Sequence, residues 1–209
     1  MRIKWFSLIR ITGLLLVLLY HFFQTIFPGG FFGVDVFFTF SGFLITSLLL
    51  EEFGKARQID LLGFFKRRFY RIVPPVVLMV LVTMPFTFLV RQDYVAGIGG
   101  QIAGVLGFMT NFYEMLTGGS YESQFIPHLF VHNWSLAVEV HYYILWGLAV
   151  WFLSKRSKSS SQLRGMVFLL SAGAFIISFF SMFIGSLMAS SYSSVYFSSL
   201  THVYPFFLG

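Results

Sequence analysis

The sequence has no cysteine, which excludes disulfides, thiolate metal sites and a cysteine nucleophile. Charge is scarce as well: 11% of the 209 residues are Asp, Glu, Lys or Arg, against about 25% in a soluble chain. A water-facing surface cannot be built from so few ions when 29 phenylalanines also need cover, so a soluble globular domain is excluded. Acidic residues are the scarcer sign, with 8 Asp and Glu against 14 Lys and Arg, and the net charge is +6. The basic residues are clustered. In a membrane chain such clusters report the cytoplasmic side rather than a polyanion, so no nucleic-acid partner is expected. The sequence also lacks an internal repeat of solenoid or transporter type.

What is abundant is apolar length, with 57% of residues hydrophobic and 21% aromatic. A spanning helix needs about 20 mostly apolar residues. Runs of this kind lie near 11–27, 32–50, 72–90, 134–153 and 166–188, with a partial one at 195–209. The expected fold is therefore all-α, a polytopic transmembrane helix bundle in a lipid bilayer. Because the last apolar run is cut at Gly209, the chain reads as the N-terminal portion of a larger domain. The first run follows Arg2 and Lys4 but is too long for a signal peptide and has no small-residue cleavage site, so it reads as a retained span.

Arg2, Lys4 and Arg10 precede the first span, Lys55 to Arg71 fill the second loop, and Lys155, Arg156, Lys158 and Arg164 flank a Ser-rich linker. The positive-inside rule places all three clusters, and the N-terminus, in the cytoplasm. That parity requires 94–113 not to cross. Its Gly97, Gly99, Gly100, Gly104 and Gly107 suit a re-entrant segment packed against protein; the alternative is a true span in which Gly100 and Gly104 make a close helix contact. With the re-entrant reading, 114–133 is an external loop.

An ionisable group inside a span costs roughly 2.5 kcal/mol or more, which makes each one a functional candidate. Arg10 and His21 are almost three helical turns apart, about 20° from a common face and roughly 16 Å along the axis. His21 suits a base or a transient acyl carrier; the competing reading is an imidazole bonded to a neighbouring helix, with Arg10 as an anchor. Asp35, near the start of the second span, suits either orientation of a reacting group or capping. Ser41 lacks the flanks of a nucleophile elbow and reads as a packing serine. The stretch Ile59 to Arg71 reads as a short amphipathic helix at the inner surface, ended before Pro74-Pro75. Its Arg68 and Arg71, one turn apart, suit a phosphate-bearing ligand, while attraction to anionic lipid accounts for Lys66 and Arg67. His128 and His132 have the spacing of a metal pair, but no third ligand follows, so no metal site is expected. Glu139, inside the fourth span, needs a partner such as His21 or an arginine.

Together these pieces resemble the membrane acyltransferase family three, the integral-membrane acyltransferases of bacterial surface sugars. Arg10 and His21 match the family's first-helix signature. Gly33-Val-Asp-Val-Phe-Phe with Ser41-Gly-Phe-Leu-Ile-Thr46 is similar to its second-helix block, Arg67 to Pro74 to its basic loop, and His132-Asn-Trp-Ser-Leu-Ala-Val-Glu139 to its histidine-to-glutamate run. His141 departs from the glutamine usual after that glutamate, and Thr201-His202 stands where threonine-arginine is common. The resemblance is closest to the membrane part of Gram-positive peptidoglycan O-acetyltransferases. It implies an O-acetyltransferase of the bacterial cell membrane that takes acetyl-CoA as donor, holds no bound cofactor, and passes acetyl towards a surface polysaccharide through an extracellular transferase domain absent here. On that reading Arg10, Arg68 and Arg71 bind the donor, His21 is catalytic, and Glu139 or Asp35 holds its imidazole in the useful tautomer. The rival class is a transporter or proton-coupled carrier using the same intramembrane groups.

Overall fold

The computed structural model of the chain describes residues 4–23, 25–89, 95–117, 128–189 and 192–209, without the side chains of 4–7, 10, 28, 88, 192 and 193. The chain is helical, and among the described residues there is no strand. In order, the helices are α1 (Lys4–Phe22), α2 (Phe32–Ala56), α3 (Leu61–Thr83), α4 (Ile98–Leu106), α5 (Thr110–Thr117), α6 (Trp134–Arg156), α7 (Ser160–Met188) and the short α8 (Tyr192–Tyr196). Four helical stretches, Gly29–Ala56, Leu61–Thr87, Val131–Arg156 and Ser160–Met188, are long and apolar enough to cross a membrane, and the apolar part of α1 is Ile11–Phe22. The protein is a multi-pass helical membrane bundle.

α2 and α6 form its centre. In each, 39% of the apolar window is buried inside the bundle, against 11% for α3 and α7, which therefore turn most of their surface to lipid. Where lipid is as apolar as leucine, helices associate by close packing and polar bonds rather than by hydrophobic transfer. Both devices are present. Phe38, Ile45 and Leu49 of α2 pack with Val138, Tyr142, Trp146 and Val150 of α6, and the Trp146 indole donates to Thr46 Oγ1 at 2.9 Å. At Gly33 a side chain would stand 2.6 Å from the Gly13 carbonyl, so α1 and α2 approach backbone to backbone there.

These pairings fix the directions of the helices. Gly30 lies against Tyr20 and Gly33 against Gly13, so α1 and α2 are antiparallel. Ser41 meets Glu139 and Thr46 meets Trp146, so α2 and α6 run parallel. Phe64 packs on Gly147 while Asn133 reaches Met79, so α3 opposes α6. The start of α1, the turn after α2 and the end of α6 thus share one end of the bundle, and the basic clusters of 55–71 and 155–164 lie there. The chain between α3 and α6 leaves and returns at the opposite end. In it α4 and α5, nine and eight residues long, fold against each other about Gly107 and Phe108, whose φ is +54°. At 1.5 Å per residue neither reaches across a hydrocarbon core of about 30 Å. Half of the external loop expected at 114–133, residues 118–127, lies outside the described residues.

Two expectations differ from the observed chain path. The basic stretch does not end before the prolines: α3 starts at an Asp60 cap, which accepts the Gly63 N–H at 2.9 Å, and continues through Pro74 and Pro75. The prolines remove the donors that would meet the Tyr70 and Arg71 carbonyls, and both of those residues are exposed, so the loss falls outside the packed core. Nor does 195–209 form a long helix. Ser198 Oγ accepts from the Leu200 and Thr201 N–H groups, and Ser178 of α7 donates to the Leu200 and Thr201 carbonyls. These hydroxyls offer the backbone local partners in place of helix bonds. The chain then hooks back beneath α2, ending in a 3₁₀ turn, Tyr204–Leu208, with the Phe206 carbonyl pressed on Gly42.

Candidate active site

Two adjoining cavities open between α1, α2, α3 and α6. The first, about 490 Å³, is lined by His21 and Val17 of α1, by Val34, Phe38 and Ser41 of α2, and by His132, Trp134 and Glu139 at the head of α6. The second, about 340 Å³, is lined by Ser41, by Arg68, Arg71 and Pro75 of α3, and by Glu139 and Tyr143. Phe37, Ser41, Leu136 and Glu139 belong to both and form the wall between them. Each volume falls in the range of roughly 300–1,000 Å³ usual for small-molecule sites.

In the first cavity the His21 Nδ1 lies 2.7 Å from the Val17 carbonyl. A carbonyl only accepts, so Nδ1 carries the hydrogen and a neutral ring has its lone pair on Nε2. The His132 ring stands edge-on to it, with centroids 4.7 Å apart and planes at 74°. In the shared wall the Ser41 hydroxyl donates to Glu139 Oε1 at 2.5 Å, and the Tyr143 hydroxyl, one turn further along α6, donates to the same oxygen. Two hydroxyls on one oxygen hold the carboxylate in a single orientation.

At the far side of the second cavity, the Arg68 guanidinium lies 5.7 Å from the centre of the Phe64 ring and 5.9 Å from that of Tyr143. These are cation–π distances. Its Nε is buried and has no hydrogen-bond partner, a condition worth about 1–3 kcal/mol that an anionic ligand would relieve. Arg71 is exposed at the cavity rim, whereas Arg67 is engaged by Glu52 at 3.2 Å.

The structure thus gathers His21, Glu139, Arg68 and Arg71 around one pair of cavities. It does not bring Asp35 to His21. Asp35 is bonded to His202 at 2.8 Å and lines a separate cavity with Thr39. Six residues of helix, about 240°, separate it from Ser41, so the two cannot share a face. Arg10 has its backbone in α1, and its side chain is outside the described residues. His128 and His132 part company: His128 bonds Glu114 at 2.9 Å, and His132 meets His21. Burial pushes the Glu114 carboxyl above its usual range, opposed by the bond to His128. His141 bonds Ser199 Oγ at 2.8 Å. Sequence reasoning missed Ser41, His132 and Tyr143 as members of the site. Tyr143 was findable as the i+4 neighbour of Glu139; the other two depend on which helix faces which.

A family model described as an acyltransferase domain matches residues 3–209. O-acetyltransferase OatA of Staphylococcus aureus strain NCTC 8325 / PS 47 is 32% identical over 203 residues, which is 96% of this chain and 32% of that protein. A second Staphylococcus aureus protein, from strain COL and provisionally named an O-acetyltransferase, is 33% identical over 202 residues, or 96% of this chain and 33% of its own length. The chain spans about a third of the length of these curated relatives. No solved structure matches it.

Proposed function

The chain belongs to the acyltransferase family, and on that premise we propose that it moves an acetyl group from cytoplasmic acetyl-CoA towards a cell-surface polysaccharide, peptidoglycan being the acceptor implied by the resemblance to peptidoglycan O-acetyltransferases. One observation carries the reading: the two cavities share the Ser41–Glu139 wall, with guanidinium groups beyond it on one side and imidazoles on the other. Arg68 and Arg71 grip phosphates of the donor by charge-assisted bonds, and the thioester arm extends along the wall towards His21. Nε2 of His21 takes the proton of an attacking hydroxyl. The hydroxyl oxygen bonds to the acetyl carbon, the carbon–sulfur bond breaks, and the departing thiolate takes the proton from the imidazolium. Glu139 does not reach His21 through a hydrogen bond here. Its role in this scheme is to orient the wall along which the donor lies.

The test is direct. Full-length protein purified in detergent and given acetyl-CoA should release free thiol, and release should rise when a soluble sugar acceptor is added. A carrier working with the same ionisable groups releases none, and that result would overturn the reading.

Orientation has its own test. The basic end of the bundle faces the cytoplasm on the positive-inside rule. A cysteine introduced at Ser159 should be labelled by an impermeant reagent only from the cytoplasmic side, and one at Ser120 only from outside. The opposite pattern at either site inverts the assignment.

A further inference from the structure

A third cavity, about 520 Å³, adjoins the second between α3 and α6, with Phe65 and Val73 of α3 and Val140 and Ile144 of α6 in its lining. Arg68, Ile72 and Tyr143 line both and form the wall between them. The wall between the first two cavities holds Glu139, and one side chain joins the two walls. The Tyr143 hydroxyl donates to Glu139 Oε1, while the centre of its ring lies 5.9 Å from the Arg68 guanidinium. Tyr143 is 8% exposed, so packing holds it in that place.

None of the ion pairs among the described residues involves Arg68 or Glu139, although both line the second cavity. A guanidinium and a carboxylate beside one cavity attract each other. A two-pronged pair between them would take up the N–H groups that a phosphate needs. Tyr143 touches both.

We propose, on the acyl-transfer reading above, that Tyr143 is a positioning residue for both walls: its ring seats the guanidinium that grips the donor, and its hydroxyl fixes the carboxylate along which the thioester arm lies. A cation beside a ring is held by the electron-rich face, and its N–H groups stay open to phosphate oxygens. The buried Arg68 Nε, which has no hydrogen-bond partner, is such a group. On the other side, the Tyr143 and Ser41 hydroxyls both donate to Glu139 Oε1, so the partners of the carboxylate are hydroxyls and not the guanidinium. Donor grip and wall geometry are thus set through one residue by two different parts of it.

Two substitutions separate those parts. Tyr143→Phe keeps the ring beside Arg68 and removes the bond to Glu139; Tyr143→Leu removes both. The experiment is thiol release by the full-length protein in detergent over a titration of acetyl-CoA, with melting curves to count folded protein. With phenylalanine the KM should stay within about twofold of the wild type's, while turnover falls about ten- to a hundredfold as the thioester loses its fixed course. With leucine the same loss of turnover should come with a KM raised about three- to tenfold, because the guanidinium loses its ring and meets a freed carboxylate.

A merely structural tyrosine would lower the melting temperature and the amount of folded protein, with KM and turnover per folded molecule unmoved in both variants. That result overturns the assignment, as does a KM raised equally by phenylalanine and leucine. Either can occur in a protein that transfers acetyl normally, so the proposed activity is judged separately, by thiol release from the wild type. If the leucine variant does not fold, the phenylalanine variant decides alone: lost turnover at unchanged KM upholds the role of the hydroxyl, and wild-type turnover ends it. If the wild type releases no thiol, calorimetric titration with coenzyme A still tests the ring, since leucine should weaken binding and phenylalanine should not; equal binding by both variants, or none by the wild type, sinks the assignment.

Discussion

Membranes carrying His21→Ala should release no more thiol from acetyl-CoA than membranes without the protein. A positioned general base contributes about 10²–10⁴-fold, and in the scheme above His21 is the group that accepts the proton of the attacking hydroxyl. The fold should tolerate the change. His21 is exposed in the last turn of α1, and its Nδ1 bonds a carbonyl of its own helix, so truncation opens no packed core. Expression and melting temperature close to the wild type, together with lost transfer, are the expected pair of results. His132→Ala is the informative companion. Its ring stands against His21, and removing it should lower turnover less than the His21 change, since His132 supports the orientation of the reacting ring. Full activity in His21→Ala would end the proposed chemistry, whatever happened at His132.

The second large effect concerns the donor. Arg68→Ala should raise the KM for acetyl-CoA roughly ten- to hundredfold, the equivalent of one charge-assisted bond of about 1.5–3 kcal/mol. Arg71→Ala should cost less. Arg68 is held between Phe64 and Tyr143 with an unpartnered Nε, a preorganised fork, whereas Arg71 sits exposed at the rim. Lysine at 68 should rescue only in part, because a point charge cannot reproduce a two-pronged contact. Lys66→Ala, on the exposed side of α3, should leave KM within about twofold. The measurement is donor titration in membranes normalised for expression. Equal, small effects at 66, 68 and 71 would move the donor site elsewhere.

Much of the helical architecture was legible because long apolar runs have few other ways to satisfy their backbone in lipid, and α2, α6 and α7 are such runs. The boundaries that misled were those where one local rule competes with another. Pro74-Pro75 reads as a stop in a soluble helix, yet an aspartate cap and a membrane setting carry α3 through it. The run 195–209 reads as apolar, yet Ser198, Thr201 and the incoming Ser178 hydroxyl bend it. In the site, His21, Glu139, Arg68 and Arg71 stood out because each is an ion where ions are expensive. Asp35 stood out for the same reason, yet it meets His202 rather than His21, since cost alone does not say which face a residue takes. The partnership of His21 with His132 comes from α1 running antiparallel to α2 and α6, and that of Glu139 with Ser41 from the parallel course of α2 and α6, which no local pattern encodes.

The wall between the two cavities has a consequence for the cell as an electrical object. A path open from one side of a membrane to the other is a short circuit, and with a steady potential across it even a thread of water would drain the gradient that the cell maintains. Here the two chambers come within one layer of side chains of each other, and that layer is Phe37, Leu136 and the hydroxyl-clasped carboxylate of Glu139. Phe37 and Leu136 are bulky and apolar, so water gains little by entering between them, and the Glu139 carboxylate is held by the Ser41 and Tyr143 hydroxyls. On the proposed reading, the thinness that brings donor and acceptor close is also what has to be insulated, and the same few residues stand at both tasks.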